Sequence, residues 1–536
     1  MATDSPTQRS REGWTDVEAV LLGNRDALGS ERLSDTEERV ERIRQTSGWF
    51  LAPLVAIVFF FLPLGMDGTQ QTLAAVLLGV IVLWITEPVP IPIGGLIGVA
   101  AIVFLGVAKA ADVLKPFGST TVFTFIGAFI LAQAMMQHGV ARRIAFWLLG
   151  LPGVGKTTMR VLLAFGGVTC LLSAFVSNTA TVAMLLPTAI GIVAVIARLL
   201  QERGLVEPGF DPTKLRIATA FMLMLAYSAS VGGLLTPVGS PPNLIGRGLI
   251  EEATGKTIDF GQWFAIAFPI CAVMFVALAI ILTLINKPEV RKLEGVGEYL
   301  AEQKRHLGPL SRAERNTIIA FTFTVVGWLL PSILNVILGD DHAVAEAVAG
   351  RLNEGIVAVA GACLLFMLPV DWSERRFTMS WEEAAKIDWG TIILFGTGII
   401  FGALLDDTGL AETIGKGAAS TFGVTTPFAL TVFAVLLAIL ISETTSNTAA
   451  AAVTVPIIIP LATAAGLDPF VPALAATFGA SFGFMLPVST PQNAIVYGSG
   501  VVPITRMIRS GISFDIIGAI LIIIFLPIVA GLVGLV

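Results

Sequence analysis

Two Ser-Asn-Thr triplets stand far apart in this chain, Ser177–Thr179 in "VSNTATVAMLLP" and Ser446–Thr448 in "TSNTAAAAVTVP". Serine and threonine hydroxyls and asparagine amides donate and accept hydrogen bonds, so a triplet set in apolar sequence can hold an anion or a hard cation. Each has a downstream companion in which proline interrupts an apolar run: "LTPVGSPPNLI", from Leu235 to Ile245, and "LPVSTPQNAI", from Leu486 to Ile495. The triplets lie 269 positions apart, as do Pro187 and Pro456, Gly127 and Gly396, and Ala134 and Ala403. The proline loops match at an offset of 250, from Pro237 with Pro487 to Asn243 with Asn493. Four blocks repeated in one order indicate an internal duplication.

The elements that position these residues are membrane elements. The 536-residue chain is 55% hydrophobic and 13% charged, with a mean hydropathy of +0.84. Apolar runs of about 20 residues, the length that crosses a bilayer, recur from Trp49 to Val536 and leave no room for a soluble nucleotide-binding domain. An all-α polytopic membrane protein of about eleven transmembrane helices and two re-entrant hairpins is expected. The crossings are placed at 49–65, 69–87, 91–108, 120–137, 215–246 (broken), 262–286, 316–338, 352–370, 389–405, 470–505 (broken) and 512–535, with hairpins at 161–198 and 426–465.

The regions are then a polar cytoplasmic tail (1–48) with a surface helix near Ser34–Arg44, a first transmembrane region (49–286), a charged cytoplasmic linker (287–315) and a second repeat (316–536). The tail has no apolar core of the signal-peptide kind. With the N-terminus inside, 27 of the 33 Lys/Arg fall in cytoplasmic segments, the asymmetry of the positive-inside rule. The same layout puts the C-terminus outside. The three cysteines and three histidines are scattered and offer neither a disulfide framework nor a metal cluster.

One motif argues for another machine. "GLPGVGKTTM" places Gly150, Gly155, Lys156 and Thr157 in the fixed positions of a nucleotide-binding P-loop. No hydrophobic strand precedes it, as a phosphate cradle requires, so Lys156 is read as a topology anchor and no nucleic acid or nucleotide partner is expected.

Counting crossings inverts one copy relative to the other, with one hairpin entering from each face. Inverted repeats with interrupted helices place binding sites near the bilayer midplane, because unpaired backbone is tolerable in hydrocarbon only where protein or a wet cavity satisfies it. Half-helix N-termini favour anions and half-helix C-termini favour cations. No Lys or Arg lies at either tip, so a bound anion needs cations beside it.

The two SNT motifs, with "ASFGFMLPVSTPQNAIV" from Ala480 to Val496, resemble the divalent anion/sodium symporter family, which includes the INDY-type dicarboxylate transporters. The resemblance covers nearly all of the chain after the tail. It implies a homodimer in a bacterial inner membrane, a static scaffold and a transport domain that moves like an elevator. It also implies residues. Ser177, Asn178 and Gly239, with the backbone near Ser173, match a first sodium site; Ser446, Asn447 and Ser489, with the backbone near Ser442 and Thr445, match a second. Asn178, Thr179, Asn447, Thr448, Ser240, Thr490 and Pro491 match positions that touch substrate carboxylates.

Gln492, where relatives commonly carry a second proline, and Ala449-Ala450, where Ala-Thr is commoner, depart from the pattern. Glu443, beside the second tip, is assigned a structural hydrogen-bonding role, and Glu87 a helix end. The implied activity is sodium-coupled uptake of a di- or tricarboxylate, a C4-dicarboxylate such as succinate, malate or fumarate foremost, with co-transported sodium and no organic cofactor. A sodium-independent exchanger on the same fold, a P-loop ATPase and a passive anion channel are the alternatives.

Overall fold

The computed structural model describes residues 35–207, 210–293, 295–339, 342–411, 413 and 426–535. Its principal helices are α1 (Asp35–Phe61), α2 (Gly68–Thr86), α3 (Ile91–Phe104), α4 (Thr120–Gln137), α5 (Val140–Leu149), α6 (Thr158–Ser173), α7 (Asn178–Glu202), α8 (Arg216–Gly233), α9 (Pro241–Thr254) and α10 (Phe260–Ile285). They continue with α11 (Val296–His306), α12 (Arg312–Leu338), α13 (Glu354–Met367), α14 (Trp389–Asp407), α15 (Pro427–Thr444), α16 (Asn447–Ala464), α17 (Phe470–Gly479), α18 (Pro491–Gly498) and α19 (Ile504–Leu532).

Every expected crossing coincides with one of these helices or with a broken pair. Nine helices among the described residues are long and apolar enough to cross a bilayer unaided. Both hairpins form, α6 with α7 and α15 with α16, and both broken crossings break at their proline loops, α8 to α9 and α17 to α18. Apolar faces turn outward as a bilayer demands: Ile512, Ile516, Ile520, Ile524 and Ile528 form an exposed stripe along α19, at the four-residue spacing of one helix face.

Several local expectations are corrected. The separate surface helix is absent from 35 onward, because α1 runs unbroken from the tail into the first crossing; Ser34 lies outside the described residues, as does most of the tail. The stretch before the P-loop-like motif contains α5, which buries Val140, Ala141, Ala145, Phe146 and Leu149 and leaves Arg142 exposed. A short antiparallel pair, Pro369–Asp371 with Arg376–Phe377, follows α13. Two or three residues per strand give too little alternation to be visible in sequence.

The Walker-like segment is occupied with its own packing. Thr157 bridges to Lys292, the Thr158 hydroxyl donates to Val290 O at 2.5 Å, and the Thr157 hydroxyl accepts from Arg160 N at 3.3 Å. Strand delivery, a physical need of a phosphate cradle, is missing from this segment, which follows the helix α5. Glu87 caps α2 in the left-handed region (φ 47°) and pairs with Arg44 at 3.3 Å, the helix-end role expected of it.

Candidate functional site

The duplication extends to hydrogen bonds. At the first tip Ser173 Oγ donates to Asn178 Oδ1 at 2.6 Å, and at the second Ser442 Oγ donates to Asn447 Oδ1 at 2.7 Å. In the first loop the Asn243 side chain donates to Gly233 O at 2.7 Å and to Thr236 O at 2.8 Å. In the second, Asn493 donates to Gly483 O at 2.7 Å and Leu486 O at 3.2 Å. Both asparagines are fully buried, and both retain an Oδ1 without a donor. The motif alignment contained Asn243 and Asn493, but only the fold shows that they brace the two broken helices.

Backbone oxygens converge at the first site. A Cβ built on Gly239 would lie 2.6 Å from Gly233 O, 2.9 Å from Ala174 O and 3.1 Å from Ser173 O. Only glycine leaves that space to another occupant, and three carbonyls around it form the donor set a hard cation takes. At the matching position of the second copy, Ser489 Oγ donates to the Glu443 carbonyl at 3.0 Å and lies 3.0 Å from Glu443 Oε2. Gly483 packs against Ser489, Asn447 and Ser442 there, a Cβ on it falling 3.0 Å from Asn447 Oδ1 and 3.3 Å from Ser442 Oγ. Asn447 Nδ2 reaches Ser481 O at 3.3 Å, and Thr445, the cap of α15, bonds back to Ile441 O at 2.7 Å through its hydroxyl.

Three of the predicted hydroxyls turn out to be helix caps. Ser177 accepts from Ala180 N and Ser446 from Ala449 N, each at 3.3 Å, while Thr490 accepts from Asn493 N at 3.3 Å. Ser240 holds the N-cap position of α9 without a side-chain bond. The triplets therefore begin α7 and α16, and the loop residues begin α9 and α18, giving four half-helix N-termini. Ser177 and Pro491 are exposed, Thr179 and Thr448 half-buried, and Ser173, Ser240, Ser442, Ser489 and Thr490 buried.

Packing crosses between the copies. The loop helix α9 of the first repeat rests on α16 of the second hairpin, and α18 of the second repeat rests on α7 of the first. Gly246 of α9 abuts Thr477 of α17 so closely that a Cβ would strike its hydroxyl. Gln492 is buried and donates to Ser230 Oγ of α8 at 2.9 Å, so the residue that departs from proline joins the repeats.

Glu443 is buried at the heart of the second loop. Its Oε1 accepts from Phe484 N at 2.6 Å and Met485 N at 2.9 Å. The mirrored Ala174 offers only its carbonyl, to Thr236. The hydrogen-bonding role expected of Glu443 is present.

A family model described as the sodium:sulfate symporter transmembrane region matches residues 46–534. The chain is 30% identical over 498 residues to the sodium-dependent dicarboxylate transporter SdcS of Staphylococcus aureus strains MRSA252 and NCTC 8325, covering 91% of this chain and 92% of each relative. Its fold is similar to the crystal structure of the Alcanivorax borkumensis YdaH transporter, with a TM-score of 0.50 over 81% of this chain and 89% of that one, at 16% identity. The paired motifs, their mirrored bonding and these likenesses agree: the chain is an integral membrane transporter, not an enzyme, and belongs to the sodium:sulfate symporter family, the divalent anion/sodium symporters.

Proposed function

We propose that this protein uses a sodium gradient to import a C4-dicarboxylate such as succinate or malate by alternating access. The observation that carries the reading is the mirrored pair of oxygen-rich cradles, one at each hairpin tip, each beside half-helix N-termini. The relatives' sodium-dependent dicarboxylate transport supports both the ion and the substrate class.

Sodium occupies the space between Gly239 and the Ser173, Ala174 and Gly233 carbonyls, with Asn178 and Ser177 beside it. A second ion sits by Ser442, Thr445, Ser446, Asn447 and Ser489. The dianion lies between the tips against Asn178, Thr179, Asn447, Thr448, Ser240, Thr490 and Pro491. With no lysine or arginine in either triplet or proline loop, the bound cations supply the positive charge that a desolvated dianion requires. Sodium orders the tips first, and substrate then completes the site.

The scaffold and transport parts of an elevator fit the contact pattern. The hairpins and broken helices pack on one another and on α10 and α19, while α4, α12 and α13 pack on one another and meet the first group along α9 and α10. A homodimer, the boundaries 49–286, 287–315 and 316–536, and a cytoplasmic N-terminus belong to the same reading.

The test is labelled succinate uptake into proteoliposomes under an inward sodium gradient, an inward potassium gradient, or trapped internal succinate. Concentrative uptake under sodium alone is expected. Uptake that ignores sodium and requires internal succinate would replace this reading with the exchanger.

A further inference from the structure

Arg247 is the one buried basic side chain among the described residues, 8% exposed on α9. Its guanidinium is shared between two carboxylates. Nε donates to Glu251 Oε1 at 2.9 Å, one turn along the same helix, and Nη1 donates to Glu354 Oε2 at 2.7 Å, in the first turn of α13. A cation shut away from water needs such partners. One of them belongs to its own helix and the other does not.

Glu354 also reaches α10. Its Oε1 accepts from Phe260 N, at the first residue of that helix, at 2.6 Å, where a helix N-terminus favours negative charge. Ser332 of α12 donates to Asp259 Oδ1 beside it at 2.9 Å. Polar bonds thus tie α9 and the start of α10 to α12 and α13 at one place. Glu354 itself is anchored on the α12 and α13 side: the Trp328 indole of α12 donates to its carbonyl at 3.0 Å. α13 lies hard against α4 as well, since a Cβ on Gly355 would strike Thr120 O and one on Gly127 would strike Ala358.

The pair can part without stranding the arginine. Glu251 Oε1 accepts from Ile258 N at 2.8 Å as well, so α9 and the turn that leads to α10 are tied together by a carboxylate of their own. Withdrawn from Glu354, Arg247 keeps Glu251. The carboxylate left behind borders a cavity of about 320 Å³ lined by Thr120, Thr124, Arg247, Glu251, Asp259 and Glu354, where water has room to replace the lost bonds. An ion pair with neither feature would cost too much to break.

We propose that the Arg247–Glu354 pair is a latch that opens and closes in each transport cycle, and that it holds the hairpins and broken helices against the α4, α12 and α13 group in the arrangement of this structure. The latch rests on the alternating-access reading. α9 begins at Pro241, next to Ser240 of the proposed substrate site, so the latch fastens the helix that carries that part of the site. On the same reading the paired helix ends lie toward the outer face, and movement of one group past the other along the bilayer normal draws Arg247 away from Glu354.

Spin labels at Glu252→Cys on α9 and Glu374→Cys in the turn beyond the far end of α13, both exposed positions, read this movement. The 14 residues of α13 put roughly 20 Å of helix axis between them. The chain carries Cys363→Ser, because Cys363 is exposed, and is diluted with unlabelled protein so that distances within one chain are read. Two distance populations are expected, one matching the structure. Glu354→Gln keeps the shape and an acceptor for Phe260 N but removes the charge; it should shift the ratio of the populations away from the structure's distance by about tenfold, the scale of one charge-assisted hydrogen bond. An unchanged ratio overturns the latch.

A second measurement leaves both charges in place. Glu252→Cys with Arg351→Cys, again exposed positions, is bridged across the latch by a reducible bifunctional thiol reagent. The bridged protein is expected to lose sodium-driven uptake and to regain it on reduction. Uptake that persists in fully bridged protein overturns the latch even if Glu354→Gln does not fold. The distance measurement needs no transport, so a shifted ratio in protein that shows no sodium-driven uptake before bridging would count against the transport reading alone.

Discussion

At the residue scale the two copies differ at Gly239 and Ser489, the matched positions of the two proposed cation sites. Gly239 leaves a space walled by three carbonyls, while Ser489 fills the matching place with a hydroxyl tied to Glu443. Gly239→Ala would put a methyl 2.6 Å from Gly233 O, so the cradle must open; the half-maximal sodium concentration for uptake is expected to rise by at least about tenfold, as overpacking costs of this kind imply. Asn178→Ala and Asn447→Ala each remove the amide that its tip serine grips. Both are expected to abolish sodium-driven uptake while the protein still elutes as wild type on size exclusion, and normal uptake in either would remove the site assignment.

At the element scale, one polar anchor lies away from the tips. Arg143 on α5 pairs with Glu314 of α12 at 2.6 Å and donates to the carbonyls of Leu307, Gly308 and Pro309. It thereby fastens the linker helix region to the bundle. Arg143→Ala leaves Glu314 largely buried without its partner and should destabilise the protein by about 1–3 kcal/mol, read as a lower midpoint of thermal unfolding in detergent, with sodium activation unchanged. Lys156→Ala is expected to leave uptake intact and to change no nucleotide affinity, because the hydroxyls beside Lys156 already serve Arg160 N and Val290 O. The layout of these elements was legible from apolar run length and proline. α5, the β-pair after α13 and the fusion of tail helix with first crossing were not, since each depends on what a short segment packs against.

For the whole molecule, the informative contact is the crossing of loop helices onto the opposite hairpins, which makes one centre from two repeats. Gln492 belongs to this scale, since its amide spans from the second loop to Ser230 in the first repeat. Gln492→Ala is expected to cost about 1 kcal/mol of stability, the usual worth of a buried hydrogen bond, and to leave sodium-driven uptake in place; loss of uptake would show that this link also takes part in transport.

Sequence alone determined the membrane class, the duplication and most of the residues named for the site. Hydrocarbon permits few backbone solutions, so apolar length, broken helices and paired polar tips carry unusually strong information. Tertiary structure decided which of those oxygens meet. It made caps of Ser177, Ser446 and Thr490, turned the carbonyls of Ser173, Ala174 and Gly233 toward Gly239, and carried the Gln492 amide to Ser230. Backbone carbonyls have no letter in a sequence, and a contact between residues 262 positions apart follows from helix packing rather than from local pattern.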